Sequence, residues 1–318
     1  MNTYSHGANV SEFARSIGAE ESEIIDFSSN INFVKPSVAM PENLEFLTAY
    51  NSDGYAALKT AISAKYGINP ENIELYNGAS AAIFSLFAHL KPKSVTLHAP
   101  IYSEHKKAAK LVGADICESG ELSVWVNPST PDGVLRQIMP HGQTIIDESF
   151  LDFTDGASLM GEAENNKALY IIKSLTKYYG AAGVRVGFIA SHRKNIGKIR
   201  ATEPLWKLSS FDAYYMTQAL NDGGFDERSR AQNNANKELL RATLVQSGLF
   251  EMVYEGKANF LLAKLRDINA EILQTHLAKH KILVRNCANF DTLDDSYVRF
   301  AVKDMLSIET LREALCDL

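Results

Sequence analysis

The sequence predicts an α/β protein with a large domain on a mostly parallel sheet and a smaller α+β domain. The chain has 318 residues, of which 46% are hydrophobic and 22% charged, so it can bury a sizeable core. Helical and strand patterns alternate from residue 54 to residue 190, as expected for an open parallel sheet covered by helices. Beyond residue 210 this alternation stops, which indicates a second domain.

The alternating part begins with a helix at residues 54–66, where apolar side chains recur at helical spacing. The elements predicted after it are a strand at 73–76, a helix at 79–90, a strand at 94–98, a helix at 103–112, and strands at 122–126, 144–146, 168–172 and 184–190. Prolines at 128 and 131 end the strand at 122–126.

The remaining chain reads as long helices followed by short strands. Helices are predicted at 211–220, 226–247, 270–280 and 308–318, and strands at 259–264, 281–285 and 297–302. We therefore expect a large domain at 37–215, with 1–36 and 216–318 forming an N-terminal arm and a small domain. Apart from 24–27, the arm has no strand signal, so we expect it to pack against the small domain or a partner subunit.

Charge and cysteine content exclude several classes of protein. A net charge of -6 favours neither nucleic acid nor an anionic membrane surface as a partner. The three cysteines have no metal-site spacing and no disulfide pattern, which is typical of a reducing cytoplasm. No apolar run approaches the ~18 residues of a membrane helix, and the N-terminus has no leader pattern. We expect a cytoplasmic enzyme or binding protein without a metal.

An acid, a lysine and an arginine lie at the ends or starts of buried strand patterns. They are Asp147, Lys177 and Arg185. Alone, such an aspartate is more often a cap and such a lysine more often solvated. Ligands of open parallel sheets, however, bind outside the carboxyl ends of the strands. The set suits an aldehyde cofactor with a phosphate tail, because the lysine can form an imine, the acid can face a pyridine nitrogen and the arginine can meet the phosphate.

Small polar residues near these three extend the predicted phosphate site. Ala79 and Ser80 follow Asn-Gly at a helix start, where such residues are common caps but also aim N–H groups at an anion. With Ser174 and Arg185 they form a coherent phosphate cup. Tyr102, just past a strand, is either a core aromatic or a ring that stacks on a flat cofactor.

Two arginines occur in strand patterns of the small domain. Arg285 and Arg299 either extend along an edge into solvent or clamp a carboxylate or phosphate. Without further information, His6, Gly7 and Asn30 of the N-terminal arm would be solvated loop residues.

Together these residues resemble the aspartate-aminotransferase fold superfamily of pyridoxal-phosphate enzymes. Within it, the chain is most similar to threonine-phosphate decarboxylases of cobalamin biosynthesis, which are themselves similar to histidinol-phosphate aminotransferases. The likeness covers nearly the whole chain, with matching segments at 6–9 (HGAN), 26–32 (DFSSNIN), 147–153 (DESFLDF), 174–177 (SLTK), 256–260 (GKANF) and 282–290 (ILVRNCANF).

The resemblance implies pyridoxal 5'-phosphate as cofactor, the fold type I of such enzymes, and a role for each matched residue. Lys177 forms the imine, Asp147 faces the pyridine nitrogen and Tyr102 stacks on the ring. The cofactor phosphate is assigned to Ala79, Ser80, Ser174 and Arg185, and to Tyr50 of the neighbouring subunit, which implies a homodimer. The substrate's phosphate and carboxylate are assigned to His6, Gly7, Asn30, Arg285 and Arg299.

Two positions depart from the family pattern. Thr130 stands where the family has the asparagine that bonds the cofactor's ring hydroxyl, and Asn127 could substitute for it through a shifted loop. Phe150 stands where transaminase relatives often have a tyrosine.

The resemblance implies decarboxylation of an O-phosphorylated amino acid to an aminoalkyl phosphate and carbon dioxide, as in cobamide biosynthesis. O-phospho-L-threonine and O-phospho-L-serine differ by one methyl group, and the sequence does not decide between them. The alternative is an aminotransferase of the histidinol-phosphate type, which differs in the bond held perpendicular to the cofactor ring. A non-catalytic sensor on this fold is disfavoured by the intact Lys177, Asp147 and Arg185.

Overall fold

A computed structural model describes the fold of residue 7 and residues 9–318. Within them, helices α1 to α10 are, in chain order, Val10–Ile17, Ala56–Tyr66, Gly78–Leu90, Ser103–Leu111, Met160–Ala163, Arg193–Arg200, Ser210–Leu220, Phe225–Gln246, Ala270–Ala278 and Met305–Cys316. Strands β1 to β13 are Ile25–Asp26, Ile73–Asn77, Ser94–Leu97, Asp115–Ile116, Leu122–Val126, Gln143–Asp147, Leu169–Ser174, Val186–Ser191, Phe250–Val253, Phe260–Leu265, Ile282–Leu283, Arg285–Asn286 and Tyr297–Ala301.

The chain divides into two compact units. The large unit consists of Lys35–Pro128 and Arg136–Glu227, and the small unit of the described residues up to Val34, Ser129–Leu135 and Arg228–Leu318. None of the helices described above is long and apolar enough to cross a membrane.

The large unit is built on a seven-stranded sheet, as the alternation of patterns predicted. Its strand order is β2-β8-β7-β6-β5-β3-β4. Five strands, from β7 to β4, run parallel, and β8 lies antiparallel to both β2 and β7. Every residue of β7 and β8 is buried, which explains why these strands read as unbroken apolar runs.

The register of the parallel strands brings their carboxyl ends to one edge of this sheet. Val126 of β5 lies opposite Asp147 of β6, which in turn lies opposite Ile172 of β7. Side chains at and just beyond these positions therefore meet at the edge where ligands of parallel sheets bind.

The small unit contains a four-stranded antiparallel sheet of order β12-β13-β10-β9. A separate parallel pair, β1 with β11, ties the N-terminal arm to this unit through Ile25 opposite Ile282. Phe27 of the arm packs edge-on against Phe300 of β13, with ring centroids 6.4 Å apart. The arm thus contributes to the core of the small unit.

The single strand predicted at 281–285 is wrong. Ile282–Leu283 pairs with β1, whereas Arg285–Asn286 pairs with β13. The break falls at Val284, whose N–H donates to the side chain of Gln274 at 2.9 Å, and the amide of Gln274 donates to the carbonyl of Ile282. A side chain from α9 therefore replaces the strand hydrogen bond at the change of sheet.

Three helices, namely α1, the four-residue α5 and α6, lack a counterpart among the predicted elements. Helix α1 buries only Phe13 and Ala14 and ends at Gly18, which adopts the left-handed conformation. Helix α6 follows a strand directly, with the ring of His192 accepting from the N–H of Lys194 at its start. Helices α1 and α6 each have only about two turns, and helices this short give little periodic signal in a sequence.

Candidate active site

A helix N-terminus lies at the carboxyl edge of the large sheet. Helix α3 begins at Gly78, directly after β2, so the N–H groups of Ala79 and Ser80 lie in its first turn without partners inside the helix. A Cβ atom placed on Gly78 would overlap the guanidinium of Arg185. Since Gly78 also has a φ of +81°, only glycine fits readily between this helix and the arginine.

The sheet register places Ser174 beside this helix. Ser174 of β7 lies opposite Gly187 of β8, and a Cβ on Gly187 would press into the backbone of Ala79. The hydroxyl of Ser174 shares a 2.9 Å hydrogen bond with that of Thr176. The structure therefore brings together Ser174, Arg185 and the start of α3, which the sequence had placed in one phosphate cup.

Asp147 ends β6 and is almost fully buried. Burial opposes its ionisation, but a 3.3 Å contact with His105 and the side chain of Ser149 outweigh burial, so the pKa of Asp147 lies below its ordinary value. The N–H of Ser149 also donates to Asp147 Oδ1 at 2.9 Å. The positive charge of Lys177 acts in the same direction. Asp147 is therefore an ionised carboxylate inside the protein.

His105 is a residue that sequence reasoning missed. It is fully buried on α4, and its Nε2 atom faces Asp147 Oδ2. Its Nδ1 atom has no hydrogen-bond partner among the described residues. His105 follows Tyr102 by three residues, one helical turn, and that spacing was the available signal.

Tyr102 precedes the first turn of α4 and links this histidine to the start of α3. Its hydroxyl is hydrogen-bonded to Ser80, while burial raises the pKa of Tyr102. Its ring meets that of His105 edge-on at 6.5 Å between centroids. Stacking of Tyr102 on a cofactor stays a prediction.

Lys177 lies in the turn after β7. Its Nζ atom is 4.9 Å from the centroid of the Phe150 ring, which is itself buried. Phe150 follows β6 by three residues, so the turn after β6 covers the amine of the turn after β7. An amine held against a buried apolar ring is one of the settings in which a lysine can form an imine.

Thr130 belongs to the small unit and bonds an arginine there. Its hydroxyl accepts a hydrogen bond from Arg299 Nη1 at 3.1 Å. In the large unit, the amide of Asn127 donates to the carbonyl of Arg136 and accepts from the Arg136 N–H. Contact of either side chain with a ring hydroxyl stays a prediction.

The small unit collects the residues assigned to the substrate. Arg285 and Arg299 lie directly opposite each other on β12 and β13, and both are buried. Arg299 also donates to the carbonyl of Ser28 at 3.1 Å, and Asn259 donates to the carbonyl of Asn30. A Cβ on Gly7 would overlap the carbonyl oxygen of Ser28, so this approach requires glycine. His6 lies outside the described residues.

Tyr50 lies on the surface of the large unit. It is 73% exposed, and its ring stacks on that of Trp206 at 4.2 Å between centroids. The other large, exposed apolar side chains of the two segments that carry this pair are Met40, Leu44, Leu47 and Leu205. We call these six residues the Tyr50 patch.

Comparison with known proteins identifies the family. The chain matches the family described as aminotransferase class I and II over residues 22–120 and 135–318, most of its length, and it belongs to that family. It is therefore a pyridoxal-phosphate-dependent enzyme with the aspartate-aminotransferase-like fold that the sequence predicted.

Three individual proteins are similar over nearly the whole chain. The threonine-phosphate decarboxylase of Salmonella typhimurium is 26% identical, over 98% of this chain and 95% of that protein. The adenosylcobalamin biosynthesis bifunctional protein CobDQ of Leptospira interrogans is 29% identical over 95% of this chain, which spans only 40% of that protein. The crystal structure of the histidinol-phosphate aminotransferase from Clostridium acetobutylicum has a TM-score of 0.81 and 27% identity, covering 92% of this chain and 98% of that one.

The residues of the large unit fit pyridoxal phosphate. A helix N-terminus backed by a guanidinium and a serine hydroxyl suits a phosphate dianion. The buried, ionised Asp147 suits a protonated pyridine nitrogen, and Lys177 supplies the amine that an aldehyde needs. The donor set thus matches the three functional groups of the cofactor.

Proposed function

We propose that the protein decarboxylates an O-phosphorylated amino acid, giving carbon dioxide and an aminoalkyl phosphate. O-phospho-L-threonine and O-phospho-L-serine are the candidate substrates. The pathway we propose for this reaction is cobamide biosynthesis. The observation that carries this proposal is the pair of buried arginines, Arg285 and Arg299, on facing strand positions. Similarity to a threonine-phosphate decarboxylase over nearly the whole of both chains supports it.

Two like charges on directly opposite strand positions repel each other and destabilise a sheet. Burial lowers the pKa of both guanidinium groups, that of Arg299 to about 10, and the charge of Arg285 adds to the effect on Arg299. The pair therefore suits a ligand with two anionic groups. A phosphorylated amino acid carries a phosphate and a carboxylate, whereas histidinol phosphate carries the phosphate alone.

The surroundings of the two arginines favour a different substrate group for each of them. Arg285 Nη2 donates to Asn289 Oδ1 at 2.5 Å, in the loop after β12, and its guanidinium lies 5.5 Å from the ring centroid of Phe290. Arg299 is held by Thr130 and Ser28 and keeps a buried Nε without a hydrogen-bond partner among the described residues. We assign the substrate phosphate to Arg285 and the carboxylate to Arg299, since a guanidinium fork fits either group.

The chemistry is divided between the cofactor and the chain. Bound pyridoxal phosphate supplies an aldehyde for an amine and a pyridinium ring that takes up the electrons of the broken bond. Asp147, ionised although buried, holds a proton on the ring nitrogen. Lys177 Nζ holds the proton that replaces the lost carboxylate on the substrate's α-carbon, and Phe150 shields that amine from water.

We also propose that the protein is a homodimer. Tyr50 and Trp206 are exposed by 73% and 48%, an unusual exposure for two stacked aromatic rings. A second copy of the chain would cover the Tyr50 patch and would bring Tyr50 to the partner's cofactor phosphate. We place the enzyme in the cytoplasm, where its three free cysteines stay reduced.

The test is incubation with three substrates, O-phospho-L-threonine, O-phospho-L-serine and histidinol phosphate, with carbon dioxide release and amine transfer measured together. We expect carbon dioxide from at least one phospho-amino acid and little amine transfer from histidinol phosphate. Amine transfer from histidinol phosphate without carbon dioxide from either amino acid would favour the second candidate, an aminotransferase. The similarity to a histidinol-phosphate aminotransferase structure supports that candidate.

A further inference from the structure

Another lysine, Lys173, lies on β7 itself, four residues before Lys177 in the turn that follows this strand. Lys173 is 1% exposed, and its neighbour Ser174 is assigned to the predicted phosphate cup. Because side chains alternate along a strand, Lys173 leaves β7 on the face opposite Ser174. It therefore lies behind the site and takes no direct part in binding there.

Lys173 forms a buried ion pair. Its Nζ atom is 2.8 Å from Asp152 Oδ1, and Asp152 Oδ2 accepts a hydrogen bond from the hydroxyl of Tyr66 at 2.9 Å. The Tyr66 ring centroid lies 5.0 Å from the same Nζ atom. An ion pair taken out of water rarely adds net stability over apolar side chains of equal size. Its presence here is better explained by what it positions.

The pair is connected to the residues that follow Lys177. The hydroxyls of Tyr66 and Tyr179 are hydrogen-bonded to each other, and Tyr179 also stacks on Phe225 at 5.1 Å. Tyr178 is anchored separately, because its hydroxyl donates to Asp226 Oδ1 at 3.0 Å. Both tyrosines are buried, so each hydroxyl is committed to its partner.

Backbone hydrogen bonds of the turn connect the two anchored tyrosines to Lys177. The N–H of Tyr179 donates to the carbonyl of Leu175 at 3.2 Å, and the N–H of Gly180 donates to the carbonyl of Lys177 at 3.2 Å. On the other side, the N–H of Leu175 is fixed to β8 through the carbonyl of Val186. The side chain of Lys177 is thus half-buried, whereas the residues on either side of it in this turn are buried and held by the hydrogen bonds described above.

We propose that Lys173, Asp152, Tyr66 and Tyr179 form a positioning network that holds the turn of Lys177 so that its amine meets the cofactor aldehyde. None of the four is assigned a contact with cofactor or substrate. The network acts only through the placement of Lys177, and the inference therefore rests on the role given to Lys177 under Proposed function.

The decisive variant is Tyr179→Phe, which removes one hydroxyl and keeps the stack on Phe225. We expect kcat to fall roughly 10- to 100-fold while KM changes by less than about twofold, because a small misplacement of a reacting group has effects of this size. Without substrate, the pH midpoint of the visible absorbance of the lysine-bound cofactor should also shift. The matched control is Tyr170→Phe, which removes a buried hydroxyl from β7 that is bonded to Gln143 instead.

The double variant Lys173→Met/Asp152→Asn tests the ion pair. It removes both charges together, so no buried charge is left unpaired. It should show the same loss of kcat and the same shift of midpoint at a melting temperature close to that of the parent. If Tyr179→Phe and the double variant keep the parental kcat and midpoint, the network is structural only and the proposal is wrong. Should the double variant not fold, Tyr179→Phe decides alone.

Lys177→Ala separates this inference from the proposed function. Loss of the absorbance band in Lys177→Ala, with no shift in Tyr179→Phe, would overturn the positioning network alone. Survival of the band in Lys177→Ala would overturn the assignment of Lys177 itself. Since these readouts need no substrate, neither depends on which phosphorylated compound the enzyme uses.

Discussion

At the scale of single residues, the site depends on charges that remain in place although they are buried. Asp147 stays ionised because the contact with His105 and the side chain of Ser149 outweigh the effect of burial on its pKa. Arg285 and Arg299 stay in the sheet as neighbouring cations. Under the proposed function, each place holds a buried charge for a group of opposite sign: the protonated pyridine nitrogen for Asp147 and the substrate's anionic groups for the two arginines.

Replacing Asp147 with asparagine should slow catalysis strongly without releasing the cofactor. A neutral amide no longer favours the protonated ring, so we expect turnover to fall by about 100-fold or more, equivalent to ~2.7 kcal/mol. Turnover and bound cofactor after dialysis are the measurements. The exposed Asp155→Asn variant is the control and should match the parent. Turnover within about tenfold of the parent would mean that Asp147 has a structural role only.

Replacing Arg285 with alanine should remove the preference for phosphorylated substrates. The free hydroxy-amino acid offers a guanidinium nothing ionic, so we expect kcat/KM to fall about 10- to 100-fold for the phospho-substrate and little for free threonine or serine. The ratio of the two kcat/KM values is the measurement, with the exposed Arg266→Ala as control. An unchanged ratio in Arg285→Ala would show that another group reads the phosphate.

At the scale of secondary-structure elements, the start of α3 is the part of the site most tightly set by backbone geometry. Gly78 joins β2 to α3 with a positive φ and leaves room for Arg185. Gly187 on β8 allows the same helix to approach the sheet. The predicted phosphate cup therefore depends on two glycines as well as on its polar side chains.

Gly78→Ala is expected to weaken cofactor binding more than fold stability. Gly67 also has a positive φ, but a Cβ there meets nothing within 4 Å, so Gly67→Ala is the matched control. Both variants should lose about 1–2 kcal/mol of unfolding free energy because alanine is strained in this conformation. Only Gly78→Ala should raise the cofactor dissociation constant, by about tenfold or more, since it displaces Arg185. Equal cofactor affinity in the two variants would contradict the cup.

Most elements of the sheet could be predicted because their signals are local. Parallel buried strands read as apolar runs, and their carboxyl ends mark where Asp147 and Ser174 lie. The change of sheet at Val284 could not be predicted, because it depends on the side chain of Gln274 from α9. His105 was missed for a similar reason, since its partner Asp147 is 42 residues away in sequence.

At the scale of the whole molecule, the Tyr50 patch is the feature that a single chain leaves unexplained. Leu44, Leu47, Tyr50 and Leu205 are each between 45% and 73% exposed, although they are large and apolar. The proposed homodimer would bury these side chains and place Tyr50 at the partner's cofactor phosphate.

Charge introduced into the patch should separate the subunits. We expect Leu47→Glu to convert a dimer into monomers, because a buried, unpaired carboxylate at an interface costs several kcal/mol. Molar mass by light scattering is the measurement. Met139→Glu is the control, since Met139 is 84% exposed and lies outside the patch. A parent that is monomeric at the concentrations of the assay would contradict the dimer.

The central claim, that Lys177 carries the decarboxylation of a phosphorylated amino acid, is tested most directly with carboxyl-labelled O-phospho-L-threonine or O-phospho-L-serine. Release of labelled carbon dioxide is measured for the parent and for Lys177→Ala, each loaded with pyridoxal phosphate. The account predicts labelled carbon dioxide and an equal amount of aminoalkyl phosphate from the parent with at least one substrate, and neither product from Lys177→Ala. Release at the parental rate by Lys177→Ala, or no release by the parent from either substrate, would contradict it.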